Sequence, residues 1–405
     1  MNPARRRSIL LGVTADTSLQ LMAGLPARYA EGGWDVHVVA DGGPRLETLV
    51  GVPHVIPHVV QMRRNPSVRA DVTALVAWWK LLRRLRPDVV DVGTPKAGLL
   101  GSLAALIART PVRVYTLRGL RYESATGAGR RVLVMLERIA CASATHVIAV
   151  SETLRARAVD DGVVRASKVE VLGAGSSNGV DLDRFAPASQ AAEAGDLGLR
   201  LGAPVVGFIG RIHADKGVDL LLDAAELLRS RGVDFQLLVV GGADDATGRE
   251  LENSAAARHP DTILTGQMDD VAVALRAMDV LCLPTRREGF PNVVLEAAAS
   301  GIPCVATNAT GVPDAIVDGV TGSIVGSREA AALADALEPY LTDADLRGRA
   351  GAAARRRAES DFDRAQVQTR KVAHSGALAD AARSRRSPRV SSPATRSAQD
   401  QGDQL

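Results

Sequence analysis

Two short loops hold most of the chemistry legible in this chain. The first reads Gly210-Arg211-Ile212-His213-Ala214-Asp215-Lys216-Gly217. An apolar run at 205–210 precedes it. A helical pattern over 218–231 follows, with Val218, Leu221, Leu222, Ala225 and Leu228 on one face. The loop is therefore expected at the carboxyl edge of a sheet and at a helix N-terminus. Free N–H groups and the helix dipole favour anions there. Arg211 and Lys216 add two positive charges, and Gly210 and Gly217 let a ligand approach the backbone. That combination suits a diphosphate. The same residues are equally compatible with an ordinary strand-to-helix turn whose charges are solvated.

The second loop is Pro284-Thr285-Arg286-Arg287-Glu288-Gly289-Phe290-Pro291-Asn292-Val293-Val294-Leu295-Glu296. Pro291 suits the first position of a helix. Glu296 then falls early in that helix, and Glu288 lies just before it. The spacing predicts that both carboxylates border a small space kept open by Gly289. A carboxylate can accept hydrogen bonds from two hydroxyls, which sugar recognition requires. Ser300-Gly301 followed by Pro303 marks the helix end.

The Glu288 to Glu296 spacing resembles the retaining family 4 glycosyltransferases of GT-B fold. So do the Arg211/Lys216 loop and the run Gly311-Val312-Pro313-Asp314 with Gly319 and Gly322. The resemblance covers residues 8–372. It implies that Glu296 binds the ribose hydroxyls of a nucleotide and Glu288 the hydroxyls of the donor sugar. By the same resemblance Arg211 and Lys216 hold the diphosphate, backbone groups of Phe290, Pro291 and Asn292 line sugar and phosphate, and Gly266-Gln267-Met268 holds the base. Arg211, Lys216 and Glu288 are the catalytic candidates.

The runs beginning at Thr94-Pro95-Lys96, Tyr115-Thr116-Leu117-Arg118 and Gly175-Ser176-Ser177-Asn178 are similar to the branch that builds capsule, O-antigen and lipid-linked oligosaccharides. That branch implies a hexose or N-acetylhexosamine donor, UDP-linked by family habit. It also implies a polyprenyl-diphosphate-linked acceptor and contact with the inner leaflet. Arg118 stands where many relatives carry a histidine that contacts the donor sugar. Arginine offers bidentate phosphate geometry. Arg118, Arg121 and Lys96 are therefore expected to face an anionic acceptor; surface charges are the plainer reading.

Leaving-group departure is the hard step. Charge building on the diphosphate would be met by Arg211, Lys216 and the helix terminus. No carboxylate nucleophile is evident, and retention is implied by the resemblance alone. Two other classes remain open: a nucleotide-sugar 2-epimerase on the same fold, and a non-catalytic nucleotide-sugar binder. Within transferases, a soluble acceptor is the alternative to a lipid.

These loops need a scaffold. Strand-like runs at 8–13, 36–40, 89–92, 112–117 and 145–150 alternate with helical patterns at 19–31, 70–86, 97–108 and 130–142. Runs at 205–210, 235–240, 262–265, 280–283 and 304–306 repeat the scheme. Such alternation implies parallel sheets covered on both faces. The fold class is α/β: GT-B, two doubly wound Rossmann-like domains facing a central cleft. The expected division is an N-terminal acceptor-side domain at 1–180, a linker at 181–202, a donor-binding domain at 203–345, a helical return at 346–374 and a disordered tail at 375–405. The segment 384–405 holds almost no large apolar residues.

Length and composition agree. The chain has 405 residues, 46% hydrophobic and only 3% aromatic, with a net charge of +3. At ~150 residues per domain, two domains are expected. The small net charge argues against a nucleic-acid partner. Cys141, Cys282 and Cys304 have no metal-ligand spacing and read as buried thiols in a reducing compartment. Asp181-Leu182-Asp183 opens the linker instead of following a catalytic strand, and the histidines show no ligand spacing. No metal or other cofactor is expected. Arg5-Arg6-Arg7 before a short apolar run reads as the approach to a first strand and not as a signal peptide. The longest apolar helix, 97–108, is short of the ~20 residues needed to cross a bilayer. A cytoplasmic protein, peripheral on the membrane, is the expectation. The helix at 70–86 sets Trp78 and Trp79 beside Lys80, Arg83, Arg84 and Arg86. Its face of Leu75, Trp78, Trp79, Leu82 and Leu85 favours core packing over a membrane surface. Asp269-Asp270 reads as a helix cap.

Overall fold

The computed structural model describes residues 6–63, 67–187 and 195–386. The first sheet collects β1 (Arg7–Gly12), β2 (Trp34–Ala40), β3 (Val55–Val59), β4 (Val89–Gly93), β5 (Val112–Leu117), β6 (His146–Ala149) and β7 (Val169–Val171) in the order β3-β2-β1-β4-β5-β6-β7. All neighbours are parallel. The connecting helices are α1 (Leu25–Glu31), α2 (Pro44–Glu47), α3 (Val68–Leu85), α4 (Pro95–Ile107), α5 (Gly127–Ser143) and α6 (Glu152–Asp160). The central strands are Val-, Ile- and Leu-rich and buried along their length, as both-face coverage demands.

The second sheet collects β8 (Val205–Ile209), β9 (Gln236–Val240), β10 (Thr262–Gly266), β11 (Val280–Leu283), β12 (Cys304–Thr307) and β13 (Gly322–Val325), ordered β10-β9-β8-β11-β12-β13. Its helices are α7 (Val218–Ser230), α8 (Ala246–Glu252), α9 (Val271–Arg276), α10 (Asn292–Ala299), α11 (Val312–Ala315) and α12 (Ala330–Thr342). Each sheet reverses its strand order once, between β1 and β4 and between β8 and β11. Ligands of open parallel sheets sit off the carboxyl ends of the strands at such points.

Two long helices close the chain, α13 (Ala344–Asp361) and α14 (Arg364–Arg386). At their junction Val180 N–H donates to the Phe362 carbonyl at 2.8 Å, and Arg364 N–H to the Val180 carbonyl at 3.0 Å. The chain thus crosses between domains twice, side by side. Asp181 pairs there with Arg364 at 3.0 Å, so the acidic pair at the linker is part of this crossing. α14 then packs back on the first domain. Gln368, Lys371, Ser375 and Ala379 are buried at helical spacing. Arg7 reaches Asp380 at 2.8 Å, and Arg383 reaches Asp88 at 2.9 Å.

Several expectations are corrected. Helix continues through 375–386, where a disordered tail is expected; Leu378, small residues such as Ala379 and Arg–Asp pairs dock it. The rest of the expected tail, 387–405, lies outside the described residues. The expected helix at 19–31 is a 3-10 turn (Asp16–Met22) and then α1, separated by Gly24 at φ 78°. The edge strands β3, β7 and β13 escape the sequence reading because they are short, and β3 contains Pro57. On α3 the buried face is Ala74, Trp78, Leu81 and Leu82, rotated from the expected one. Trp78 is fully buried, its indole fitting where Gly12 lacks a Cβ. Asp270 does cap α9, through the Ala272 N–H at 3.1 Å. All three cysteines are buried and free.

Candidate active site

The loops singled out above leave β8 and β11, the two strands that flank the reversal of the second sheet. Gly217 is the N-cap of α7 at φ 71°, and a Cβ on it would collide with the Pro284 carbonyl. Only glycine brings the two loops this close. Lys216 Nζ lies 2.5 Å from Glu288 Oε1, with both side chains largely shielded from solvent. A cation and a carboxylate are thus held together between the N-termini of α7 and α10. Arg211 is more exposed and pairs with Asp244. Arg287 holds Asp215 at 2.9 Å, bracing one loop against the other.

Glu296 sits in the second turn of α10. Among the described residues no side chain hydrogen-bonds its carboxylate. Burial raises its pKa, opposed by the charges of Arg184 and Arg364. A half-buried carboxylate with free acceptor positions is suited to a diol. Helix α10 starts at Asn292 with Pro291 as its cap, one residue later than expected. Asn292 Oδ1 is buried without a partner at that helix start. Phe290 is packed against Phe362, ring centroids 5.4 Å apart, so its backbone alone is left to line a ligand. Gln267 is exposed and Met268 half-buried beyond the end of β10, on the same sheet edge.

Gly289 has a different task from the one its position suggests. A Cβ there would strike the Arg118 carbonyl, and Ser151 Oγ donates to the Gly289 carbonyl at 2.7 Å. Gly289 is where the backbones of the two domains meet. Further contacts bridge them. Asp314, on α11, accepts the Glu152 N–H at 2.8 Å, the Thr153 N–H at 3.2 Å and the Thr153 hydroxyl. Thr310 Oγ1 donates to Glu123 Oε1 at 2.7 Å. A carboxylate of one domain therefore caps helix α6 of the other. Sequence reasoning missed this role, although Asp314 lay in a quoted motif.

On the opposite wall, Thr94 follows β4 at φ 71°, a costly conformation for a β-branched residue. Its hydroxyl meets that of Thr14 at 2.8 Å across the strand reversal of the first sheet. The three residues expected to meet an acceptor have separate partners. Lys96 is held by Asp71 at 2.7 Å and by the Arg63 carbonyl. Arg121 is exposed on a 3-10 turn, its charge acting on Glu137 of α5. Arg118 points back into the first domain, its Nε donating to Ser177 Oγ at 2.6 Å. His213, Asp244 and Asp245 converge with one ligand atom each within 4.8 Å, a grouping no sequence spacing shows. Arg211 already holds Asp244, and His213 Nδ1 accepts the Asp215 N–H.

The fold and the paired loops define a GT-B glycosyltransferase. The family described as "Glycosyl transferase 4-like domain" matches residues 17–175, and "Glycosyl transferases group 1" matches residues 203–343. The chain is 35% identical over 351 residues to the capsular polysaccharide biosynthesis glycosyltransferase CapM of Staphylococcus aureus, covering 86% of this chain and 92% of that one. It is 29% identical over 260 residues to an Escherichia coli UDP-Gal:alpha-D-GlcNAc-diphosphoundecaprenol alpha-1,3-galactosyltransferase, 61% of this chain and 65% of the relative. Among solved structures, HepE of Anabaena with UDP and glucose aligns with a TM-score of 0.74 at 21% identity, over 92% of this chain and 100% of that one. The sucrose-phosphate synthase of Thermosynechococcus elongatus aligns at 0.79 and 21%, over 93% and 100%. The chain belongs to the family 4 glycosyltransferases.

Proposed function

We propose that this enzyme transfers a hexose or N-acetylhexosamine, with retention, from a UDP-sugar to a polyprenyl-diphosphate-linked saccharide during synthesis of a cell-surface polysaccharide. The observation that carries the reading is the Lys216–Glu288 pair between two helix N-termini, with the open carboxylate of Glu296 on the same helix as the second terminus. In this reading the diphosphate lies over the α7 terminus, Lys216 and Arg211 meet the charge of the departing nucleotide, and Glu288 turns to the sugar hydroxyls. Glu296 takes the ribose. No step calls for a metal. The S. aureus relative, a capsular polysaccharide glycosyltransferase, supports a polysaccharide product, and the E. coli relative, which acts on GlcNAc-diphosphoundecaprenol, supports a lipid-linked acceptor.

Helix α5 supports the lipid side. Its buried face is Glu137, Ala140, Cys141 and Ser143, whereas Val132, Met135, Leu136 and Ile139 are 58%, 64%, 38% and 36% exposed. The helix wears its apolar stripe outward, with Arg131 and Arg138 beside it. That suits an anionic bilayer surface. This replaces the tryptophan helix α3 as the membrane candidate, since Trp78 is in the core. Among the described residues no helix is long and apolar enough to cross a membrane. Met135→Asp is expected to lower co-flotation with phosphatidylglycerol vesicles several-fold; equal flotation refutes the docking face.

The test is a donor screen with a polyprenyl-diphosphate-sugar acceptor, comparing the native enzyme with Lys216→Ala and Glu288→Ala. Label should enter the lipid fraction, and each substitution should cut kcat/KM by about 100- to 1000-fold, the scale of one lost transition-state contact. Epimerisation of the donor without transfer, or tight binding with no turnover, would overturn the reading.

A further inference from the structure

A cluster behind the cleft has more positive charge than the chain neutralises. Arg118 follows β5, and Lys371 reaches in from α14. Lys371 is 4% exposed, and its Nζ donates to the Ser177 carbonyl at 3.2 Å. Arg118 Nε donates to the hydroxyl of the same serine. Arg118 Nη1 is buried with no partner. It lies against Gly93, the last residue of β4, where any Cβ would collide with it. Among the described residues neither cation has a carboxylate within ion-pair distance. Burial disfavours the charge of both, and the field of Asp91 opposes that; Asp91 is itself buried and accepts the Thr116 hydroxyl at 2.6 Å.

A buried lysine and a partly buried arginine thus lie near one carboxylate without pairing to it. Burying a charge is costly unless it is paired. A guanidinium has five N–H donors, and among the described residues this one uses a single donor. The imbalance stands at the carboxyl edge of β4 and β5, beside the strand reversal of the first sheet. The adjoining backbone, the Arg118 carbonyl and Gly119, abuts Gly289 and so the donor loop. Arg118 keeps partial exposure, with Ser177 on its Nε and Gly93 against its Nη1.

We propose that Arg118, with Lys371 beneath it, forms an oxyanion subsite that takes a carboxylate or phosphate carried by one of the two sugar substrates. Arg118 makes the contact. Lys371 is a positioning residue that holds the Ser177 segment and adds its field. Arg121 and Lys96 are not part of it. The inference rests on the donor and acceptor reading above. Two substrates could bring the anion: a hexuronic acid donor, or the diphosphate of the acceptor.

Equilibrium binding to the full chain distinguishes them. UDP-glucuronic acid is compared with UDP-glucose, and a citronellyl-diphosphate N-acetylglucosamine with the citronellyl glycoside that lacks the diphosphate. One anionic probe should bind about 10- to 100-fold more tightly than its neutral counterpart, the scale of a charge-assisted hydrogen-bonded pair. Arg118→Met should reduce that preference to within about twofold, and Arg118→Lys should restore most of it. Arg118→Gln, which keeps a donor for Ser177 without the charge, serves if the methionine variant does not fold. The pair that shows the preference identifies donor or acceptor. Equal binding within both pairs, or a preference that survives loss of the Arg118 charge, overturns the proposal. UDP alone is the control: failure of the native protein to bind it would defeat the functional reading instead, whereas normal UDP binding without any anion preference defeats only the subsite.

Discussion

Asp314→Ala should open the cleft while leaving each domain folded. Asp314 sits on α11 in the second domain, yet its side-chain bonds go to the first turn of α6 in the first: two backbone N–H groups and the Thr153 hydroxyl. Loss of a helix-capping acceptor costs ~1 kcal/mol, the dipole contribution ~0.3–1 kcal/mol, and a hydroxyl bond to a charged partner ~1.5–3 kcal/mol. Because Asp314 is only half-buried, the lower halves of these ranges apply, and the sum is about 3–4 kcal/mol. At about 1.4 kcal/mol per factor of ten, the closed-to-open ratio should fall about 100- to 1000-fold. Substrates that need both walls would bind more weakly by the fraction of molecules still closed. Solution X-ray scattering should show a larger radius of gyration for the unliganded variant, and kcat/KM should fall by at least tenfold. The main melting transition should move little, since the Arg357 bonds to the Asp314 and Ala315 carbonyls survive the substitution. Asp314→Asn, which keeps one acceptor oxygen, should fall between. A variant with native scattering and kcat/KM within threefold of the native enzyme would refute the claim that this contact holds the domains together.

Glu296→Gln tests the ribose assignment and has a definite pH signature. Burial raises the Glu296 pKa, so the folded state holds that proton more tightly than the unfolded chain does. Stability from this group is therefore lost as pH rises from the unfolded carboxylate range, ~4.3, through the raised folded value. The glutamine variant should melt higher than the native protein at pH 8 and converge with it at pH 4, while its affinity for UDP falls about 10- to 100-fold. An unchanged UDP affinity in calorimetry would remove Glu296 from the nucleotide site. These outcomes join those expected for Lys216, Glu288, Met135 and Arg118.

The two loops of the second domain are legible in the sequence because their signals are local. A glycine-flanked loop with Arg211 and Lys216 between an apolar strand and an amphipathic helix is specified by neighbours in the chain. The same holds for Glu288, Pro291 and Glu296 around the start of α10. Alternation of short Val/Leu runs with helical periodicity likewise reports two parallel sheets. The surroundings of the first-domain cations are less legible. Lys96, Arg118 and Arg121 look alike in the sequence, but each is claimed by different partners: Asp71, Ser177 and the surroundings of Glu137.

The residue types at the strand ends, and hence the chemistry available to them, were set by the sequence alone, because a βα junction needs only its own turn residues and periodicity. The tertiary structure decided which distant groups face one another. It set Asp314 on helix α6, turned the apolar stripe of α5 outward by burying Glu137 against the Tyr115 hydroxyl at 2.5 Å, and brought Lys371 behind Arg118. It also docked 375–386 as helix, using alanines and Arg–Asp pairs that composition undervalues. The Asp314, Lys371 and 375–386 contacts depend on the chain crossing twice between its domains, and that crossing is a long-range packing outcome with no local periodicity to announce it.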